Sequence, residues 1–303
     1  MLVQGAFNAL FRAGLRTDFR DNYEMYPPEY SQYLKTSSMS TPELRAAVIS
    51  GLNRLVELGD GEPVTYDNPK MSPVVMGVDR EFGLGFMITR KTVEDDQYGK
   101  ANQSAKWLGQ ATRMTEEYRS AQLLDDAFTG TYFKGFDNTA LCNTAHTLLG
   151  SDGTTSNALA TPVGLSITGI TGLQNLAMRL VDENGNPMRS MPRKLIISNT
   201  AAELNKARQI FGSEKEPFTA NNQDNALKKE FGMPEIVVSR FKTSLKSYFL
   251  VDESLNDAHF VTRRAPTFSD DFDFNTDVAL YKVTTRFLIW FVDWRGWNGS
   301  NPT

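Results

Sequence analysis

The longest uninterrupted helical pattern of the chain runs from about residue 93 to residue 130, and it constrains the fold more than any other stretch. Its apolar residues recur at steps of three or four, which places them on one face of an α-helix. They are Trp107, Ala111, Met114, Tyr118, Ala121, Leu124 and Phe128. About 30 helical residues would span roughly 45 Å, which exceeds the diameter of most small domains. We call this stretch the spine helix, and we expect a long element to lie along it.

The ends of the spine helix carry typical boundary signals. Glu94, Asp95 and Asp96 would lie in the first turn, where the positive end of the helix dipole favours carboxylates. Gly99 can delay the start, and Gly130 is a typical residue to follow the last turn. A divalent ion would also suit these carboxylates, but dipole compensation is the simpler interpretation.

Composition excludes several classes of protein. With 40% hydrophobic and 22% charged residues among 303, the chain is typical of a globular protein with one large or two moderate cores. No apolar run approaches the ~20 residues that a membrane-spanning helix needs. The net charge of −4 gives no reason to expect sequence-independent binding of nucleic acid. A single cysteine, Cys142, excludes an intramolecular disulfide and suits a reducing cytosol.

The first part of the chain predicts an arm, a helix and a hairpin. The arm places four tyrosines in an irregular segment, namely Tyr23, Tyr26, Tyr30 and Tyr33. Pro27 and Pro28 exclude a helix there, and large aromatic side chains in an extended arm are typical of a subunit interface. From Thr41 to Gly61 the pattern predicts a helix. Residues 58–85 predict a two-stranded hairpin with its tip near Asn68 to Pro73, and such a hairpin needs a partner to lie on.

From residue 165 the pattern changes to a compact α/β region. Residues 165–182 predict an amphipathic helix, and Leu195 to Ile197 predict a buried strand. Thr200 can cap the helix that follows, and the runs EIVVSRF and SYFLVD predict two more strands. The alternation from Leu280 to Arg286 predicts a long C-terminal strand. The continuous apolar run from Phe287 to Val292 predicts burial on both faces or in an interface.

Patterns for catalysis or metal binding are weak. Cys142 and His146 are four residues apart, but two ligands without a third make a poor metal site, and a packed or hydrogen-bonded His146 is the preferred interpretation. A cysteine–histidine nucleophile is equally weak. The glycine runs GLGF and GSDG lack the context of a phosphate loop. The WRGW ending would suit stacking on nucleic acid, yet we expect its tryptophans to pack. We therefore predict no catalytic residue, no cofactor and no metal.

Local runs along the chain resemble a known family. They are GEPVTYD before the hairpin tip, FGLGFMITR followed by EDDQYG at the spine entrance, DNTALCNTAHTLLGSDGTTSN after the spine helix, and MPRKLIISNTAAELNKARQIF in the α/β region. Because these runs occur in this order, the chain resembles the α+β subunit of the Hong Kong 97-type capsid fold, which tailed-phage major capsid proteins and encapsulins share. Within that fold it is most similar to the major head subunits of Mu-like phages. The family has no catalytic residues to carry over.

The resemblance implies a layout of four parts. In chain order, residues 1–45 would be the N-terminal arm, 46–90 a helix plus an extended loop (hairpin about 58–85), 91–164 and 266–303 the peripheral domain with the spine helix, and 165–265 the axial domain. The extended loop would reach over a neighbouring subunit. The axial domain would surround five-fold and six-fold positions of a shell.

The function that the resemblance implies is that of a major capsid protein. Many copies would assemble, as pentamers and hexamers, into an icosahedral virion shell around double-stranded DNA, with no sequence-specific DNA binding and no membrane. Assembly in the host cytoplasm would involve a portal and, in some relatives, decoration proteins. A separate scaffold protein is also expected, because the chain starts directly with the arm. The expected inter-subunit contacts are Tyr23, Tyr26, Tyr30, Tyr66, Lys70, Met71, Gln110 and Arg113.

Two residue-level expectations follow from this layout. Trp107, Met114 and Tyr118 should be core, whereas polar spine residues such as Gln110 and Arg113 should be buried only in the assembly. Some relatives link a lysine of the extended loop to an asparagine of another subunit. Lys70 lies near the predicted tip beside Asn68, but neither a partner nor an activating carboxylate is identifiable. A solvated or salt-bridged Lys70 is therefore the preferred interpretation.

Two other functions are open at this point. An encapsulin-like compartment would share the fold but enclose cargo protein, and nuclease-protected DNA inside the particles would distinguish the two. A soluble enzyme whose α/β region binds a small ligand is the less favoured alternative. Static light scattering separates it, because a persistent monomer or dimer favours the enzyme and megadalton particles favour the shell.

Overall fold

Two four-stranded sheets dominate the described part of the chain, which is residues 4–89, 91, 92, 99–218, 223–231, 233–273 and 278–302 of a computed structural model. Helices lie against both sheets, so the fold is α+β, as predicted. Among the described helices, none is long and apolar enough to cross a membrane.

The first sheet is built on a long antiparallel hairpin. Its strands are β1 (Lys35–Ser38), β4 (Arg80–Thr89), β10 (Ala258–Asp273) and β11 (Val278–Phe291). They lie in the order β1, β10, β11, β4, with β10 and β11 paired along nearly their whole length. The alternation predicted for β11 is confirmed, since Tyr281 and Val283 are buried whereas Lys282 between them is exposed.

The second sheet and its helices confirm the predicted α/β region. Its strands are β7 (Lys194–Ser198), β8 (Glu235–Ser239), β9 (Tyr248–Val251) and β12 (Trp297–Ser300), in the order β12, β9, β7, β8. The helices are α3 (Ile167–Met178), α4 (Ala201–Gly212) and α5 (Ala226–Phe231). Thr200 caps α4 as predicted, because its side chain accepts a hydrogen bond from the Glu203 N–H. Every residue of β7 is buried.

The sheets divide the chain differently from the boundaries expected at residues 165 and 265. β10, in the first sheet, already begins at Ala258. β12, near the C-terminus, pairs with β9 in the second sheet. The chain therefore crosses from the first sheet back to the second after β11, and Trp294 and Trp297 at this crossing are fully buried, as predicted. The peripheral and axial roles of the two parts stay predictions.

The spine helix is present but shorter than predicted. It is α2 (Lys100–Asp126), and it begins directly after Gly99, whose positive φ of 64° supplies the left-handed conformation that glycine tolerates. The predicted first-turn carboxylates Glu94, Asp95 and Asp96 lie outside the described residues.

The buried face of the spine helix differs from the predicted one. Trp107, Met114 and Tyr118 are 60%, 52% and 60% exposed, so the prediction that they are core is wrong. Only the C-terminal end of the predicted stripe is buried, with Ala121 and Leu124 nearly inaccessible to solvent. The apolar pattern therefore predicts the helix correctly but predicts the wrong buried face for most of its length.

A second helix explains this difference. α1 (Gln4–Glu24), much longer than the short opening predicted for the arm, packs along the spine helix. The two backbones approach so closely that a Cβ atom at Gly109 would lie 2.5 Å from the Phe19 carbonyl oxygen. Ala101 and Ala105 are buried in the same half of the spine helix. Small residues and Leu108 thus form this contact, whereas Trp107, Met114 and Tyr118 point outward.

The predicted helix from Thr41 to Gly61 is wrong. In its place, β2 (Glu43–Ala46) pairs antiparallel with β3 (Val75–Val78), and Ile49 bridges to Met71. β3 lies against β11 in the first sheet, and this packing holds the paired chain extended. Tertiary pairing outweighs a helix propensity worth a few tenths of a kcal/mol per residue.

Residues 43–78 form one long hairpin, which we call the ribbon. Between its legs the Ser50 N–H donates to the Lys70 carbonyl at 2.9 Å, and the Asn53 N–H donates to the Asp67 carboxylate at 2.8 Å. The turn lies where the Glu62 N–H donates to the Gly59 carbonyl at 3.2 Å. The tip is therefore at residues 59–62, and the prediction of a tip near Asn68 to Pro73 is wrong.

Candidate assembly surfaces

The root of the ribbon is fixed by a buried ion cluster. Asp79 is the one residue between β3 and β4, and its side chain is 1% exposed. Its carboxylate oxygens lie 2.7 Å from Arg263 Nη1 on β10 and 2.6 Å from Arg286 Nε on β11. Burial opposes ionisation, but the hydrogen bond and charge of Arg263 hold the pKa of Asp79 below its usual range. The ribbon thus leaves the first sheet from an anchored point.

The far part of the ribbon exposes an unusual amount of apolar surface. Its exposed apolar side chains are Ile49, Leu52, Leu55, Val56, Leu58, Val64, Tyr66 and Met71. Leu55 is fully exposed and Tyr66 is 90% exposed. Many exposed large apolar side chains on one segment indicate an interaction site.

Lys70 lies midway along the returning leg of the ribbon and not at its tip. Its N–H donates to Ser50 Oγ at 2.9 Å, which joins the two legs there. The side chain is exposed. Contact of Lys70 with another subunit stays a prediction.

A second exposed surface lies on the spine helix. Trp107, Met114 and Tyr118 are spaced by seven and four residues, so they line one side of the helix. Gln110, predicted to be buried only in the assembly, is partly exposed here. Tyr26, beyond the end of α1, is 52% exposed. These side chains are accessible to a second copy of the chain.

Other residues expected at subunit contacts lie inside this chain. Tyr30 is 6% exposed and its ring stacks on Phe260 with centroids 4.2 Å apart. The Tyr23 hydroxyl donates to the Glu116 carboxylate at 3.0 Å. Arg113 lies over the Tyr23 ring at 4.0 Å and pairs with Glu116 at 2.9 Å. Arg113 is therefore largely covered by α1 before any assembly occurs.

Buried carboxylates join the arm to the spine helix, and no local sequence pattern predicts them. The two carboxylate oxygens of Glu117 accept hydrogen bonds from the N–H groups of Glu29 and Tyr30 at 2.7 and 3.3 Å. Burial raises the pKa of Glu117 to about 7 and also raises that of Glu116. A glutamate in a helix normally indicates a solvated face, so this role is visible only in three dimensions.

His146 is packed and hydrogen-bonded, as predicted. It lies in β5 (His146–Thr147) and is fully buried, with Nδ1 2.6 Å from the Asp137 carboxylate and Nε2 3.0 Å from Asn157 Oδ1. Its ring stacks on Trp294 with centroids 4.0 Å apart. Cys142 is also buried, and burial raises the pKa of its thiol. Within the described residues, no group of three His, Cys, Asp or Glu side chains suits a metal ion.

The carboxyl ends of β7 and β8, where α/β proteins often bind small ligands, are covered by a loop. The loop is residues 240–247. Ser198 Oγ at the end of β7 donates to the Leu245 carbonyl. The N–H groups of Thr243 and Ser244 both donate to the Asp125 carboxylate of the spine helix at 3.0 Å. The second sheet is thereby tied to the spine helix at the position that a ligand would take.

Solved structures share this fold. A virus-like particle from Pyrococcus furiosus has a TM-score of 0.52 at 13% identity, with 94% of this chain and 97% of that chain covered. The procapsid of bacteriophage JBD30 has a TM-score of 0.53 at 14% identity, covering 99% and 77%. A structure from Microbacterium phage Oxtober96 has a TM-score of 0.56 at 11% identity, covering 92% and 91%. No curated protein matches the chain.

The sequence itself matches a protein family over most of its length. Residues 80–297 match the family described as phage capsid protein, from the ribbon root to the start of β12. The structural neighbours agree with the Hong Kong 97-type architecture that the sequence indicated. The chain belongs to the phage capsid protein family and is a major capsid protein with the Hong Kong 97-type fold.

Proposed function

We propose that this capsid protein forms a closed icosahedral shell from pentamers and hexamers, and that the shell encloses the double-stranded DNA of a tailed phage. The ribbon is the observation that carries this proposal. It combines a root fixed by Asp79 with a far end of exposed apolar side chains. A segment built in this way is suited to bury its surface against another copy.

The ribbon can supply substantial association energy. Fully burying one large aliphatic or aromatic side chain contributes about 1.5–3 kcal/mol. Burying three of the exposed side chains of one ribbon would therefore contribute roughly 4.5–9 kcal/mol, before the cost of ordering the ribbon. Each copy gives and receives one such contact in a closed shell, so moderate contacts become jointly strong.

The other exposed surfaces fit the same arrangement. We propose that Trp107, Met114 and Tyr118 are covered by a neighbouring subunit, and that Gln110 becomes buried with them. Tyr26 and Met71 are exposed enough to join such contacts. The part built on the first sheet would be the peripheral domain, and the second sheet with its helices would be the axial domain around the symmetry axes.

The finer identity of the particle is also part of the proposal. The four sequence runs support a head subunit of the Mu-like type, assembled in the host cytoplasm. A separate scaffold protein would guide closure, a portal would occupy one vertex, and decoration proteins would bind the outer surface. The protein would act without a catalytic step, which agrees with membership of a capsid family.

Removing the far part of the ribbon tests the proposal. Residues 51–69 can be replaced by an Asn-Gly turn, because Ser50 and Lys70 lie opposite each other and are hydrogen-bonded across the two legs. We expect a folded subunit that forms no closed particles by static light scattering and electron microscopy. A thermal unfolding curve close to that of the full chain is the control for folding. Particles of normal size from the shortened chain would contradict the proposal.

A shell around protein cargo is the second candidate. The likeness to the Pyrococcus furiosus virus-like particle, over nearly the full length of both chains, favours it. The contents of native particles distinguish the candidates. Nuclease-protected double-stranded DNA supports the phage head, and a constant protein cargo without DNA supports the compartment.

A further inference from the structure

One edge of the first sheet is open. β4 pairs with β11 along one side and has no strand on its other side in the described part of the chain. No hydrogen bond among the described residues reaches the outward backbone groups of β4. With ten residues, Arg80–Thr89, this is a long edge for a globular protein.

The open edge lacks the usual protection against pairing. Natural edges are blocked by proline, lysine or a bulge, whereas β4 between Phe82 and Thr89 holds no proline and no charged residue. Leu84 and Met87 are 58% and 72% exposed. Gly85 keeps the strand close to β11, because a Cβ atom there would lie 2.6 Å from the Tyr281 carbonyl oxygen. Such an edge is a template for an additional strand.

The ribbon of the same copy runs away from this edge. The Gly77 backbone lies against the Trp290 side chain of β11, and Leu44 of β2 packs on the apolar cluster that contains Val261 of β10. The ribbon root therefore lies over the face of the sheet towards β10, away from the β4 edge. Farther out along the ribbon, the Ser50 carbonyl accepts a hydrogen bond at 2.8 Å from the side chain of Asn184, which lies between α3 and β7. A strand on the β4 edge must therefore come from a second copy.

The two legs of the ribbon differ in their ability to supply that strand. The returning leg contains Pro63, Pro69 and Pro73, which cannot donate a backbone hydrogen bond. The outgoing leg over residues 52–58, LNRLVEL, has no proline and exposes four large apolar side chains, Leu52, Leu55, Val56 and Leu58. The other open edge of the sheet, β1, offers the polar residues KTSS and therefore matches the apolar side chains of residues 52–58 poorly.

We propose that residues 52–58 of one copy add as a further strand to the open β4 edge of a neighbouring copy. Backbone hydrogen bonds would give the contact its strength, and Leu84 and Met87 would meet the apolar side chains of the leg. The strand also borders a cavity of about 670 Å³, lined in part by Arg80, Phe82 and Phe133, which can accept a side chain of the leg. The inference rests on the proposed shell, and it specifies how one subunit holds the next.

Engineered disulfides test this contact directly. Leu55→Cys is combined with Leu84→Cys or with Met87→Cys, two positions on opposite faces of β4. The matched control combines Leu55→Cys with Thr36→Cys on the opposite edge of the sheet. After oxidation of assembled particles, non-reducing gels should show a ladder of oligomers for at least one β4 pair and none for the control. Particles that give no ladder with either β4 pair, or an equal ladder with the control, overturn the inference.

Hydrogen exchange gives a second readout without substitutions. On assembly, amides of residues 80–89 and 52–58 should exchange at least about tenfold more slowly than in the dissociated subunit, while residues 35–38 change little. Closed particles in which residues 80–89 exchange as fast as in the free subunit overturn the inference and leave the shell intact. A chain that forms no particles under any condition instead overturns the proposed function, and the inference with it.

Discussion

Replacing Asp79 by asparagine tests whether an ion cluster holds the ribbon root. The substitution keeps the side-chain size but leaves Arg263 and Arg286 without their counter-charge. Removing one partner of a buried ion pair costs about 3–5 kcal/mol. Because the arginine side chains are 23% and 30% exposed, water compensates part of this cost. We expect Asp79→Asn to lower the free energy of unfolding by about 2–3 kcal/mol.

Scanning calorimetry of the dissociated subunit measures this effect. For a chain of this size the expected loss lowers the Tm by roughly 4–8 °C. Glu81→Gln is the matched control, since Glu81 pairs with Arg264 at an exposed position and its loss should cost at most about 0.5 kcal/mol. The pKa of Asp79 is lowered in the fold, so its contribution is present above the ordinary carboxyl pKa and is lost as the pH falls through the lowered value. If both variants melt at the same temperature, the ribbon root is not held by this cluster.

Three further predictions concern other contacts. Gly109→Leu should destabilise the subunit by about 1–3 kcal/mol in denaturant unfolding, because the new side chain meets the Phe19 carbonyl; an unchanged midpoint would contradict the packing of α1. Burial raises the pKa of Glu117 to about 7, so the contribution of Glu117 to stability is complete below the ordinary glutamate pKa and is lost as the pH rises through 7. The Tm of the unsubstituted subunit should therefore fall between pH 5 and 8, and the Tm of Glu117→Gln should fall less. Equal falls in Tm for the two proteins would refute this. Leu55→Ser should reduce the yield of particles several-fold without changing the Tm of the subunit, whereas Met178→Ser, at an exposed position of α3, should leave the yield unchanged; equal yields of the two variants would argue against the ribbon contact.

The second sheet could be predicted well because its signals are local. Leu195 to Ile197 is a short apolar run that must be buried, and Thr200 is a cap directly before a helix. The alternation in β11 likewise follows from one face being buried. The conformation of each of these elements is determined by residues within or next to it.

The ribbon and the spine face could not be predicted from local patterns. Residues 41–61 have a good helix composition, but pairing of β2 with β3 against the first sheet decides their conformation. On the spine helix, large apolar residues suggest the inner face, yet close packing of α1 requires small ones such as Gly109. The exposure of Trp107 on the spine helix can be interpreted only when the function of the protein is known to be assembly.

β10 was missed for a related reason. Pro266 and the run of aspartates near its end argue against a central strand. The structure accommodates Pro266 in a register irregularity between Arg264 and Thr267, where the ladder to β11 is interrupted. The buried carboxylate of Glu117 was missed because burial of a helical glutamate depends on backbone N–H groups from a distant segment.

High-resolution electron microscopy of the purified protein shows whether the ribbon joins one subunit to the next. We expect closed icosahedral particles in which the ribbon of each subunit lies on its neighbour and Leu55 is buried there. A chain that stays monomeric or dimeric, or a closed particle in which the ribbons project into solvent, would contradict it.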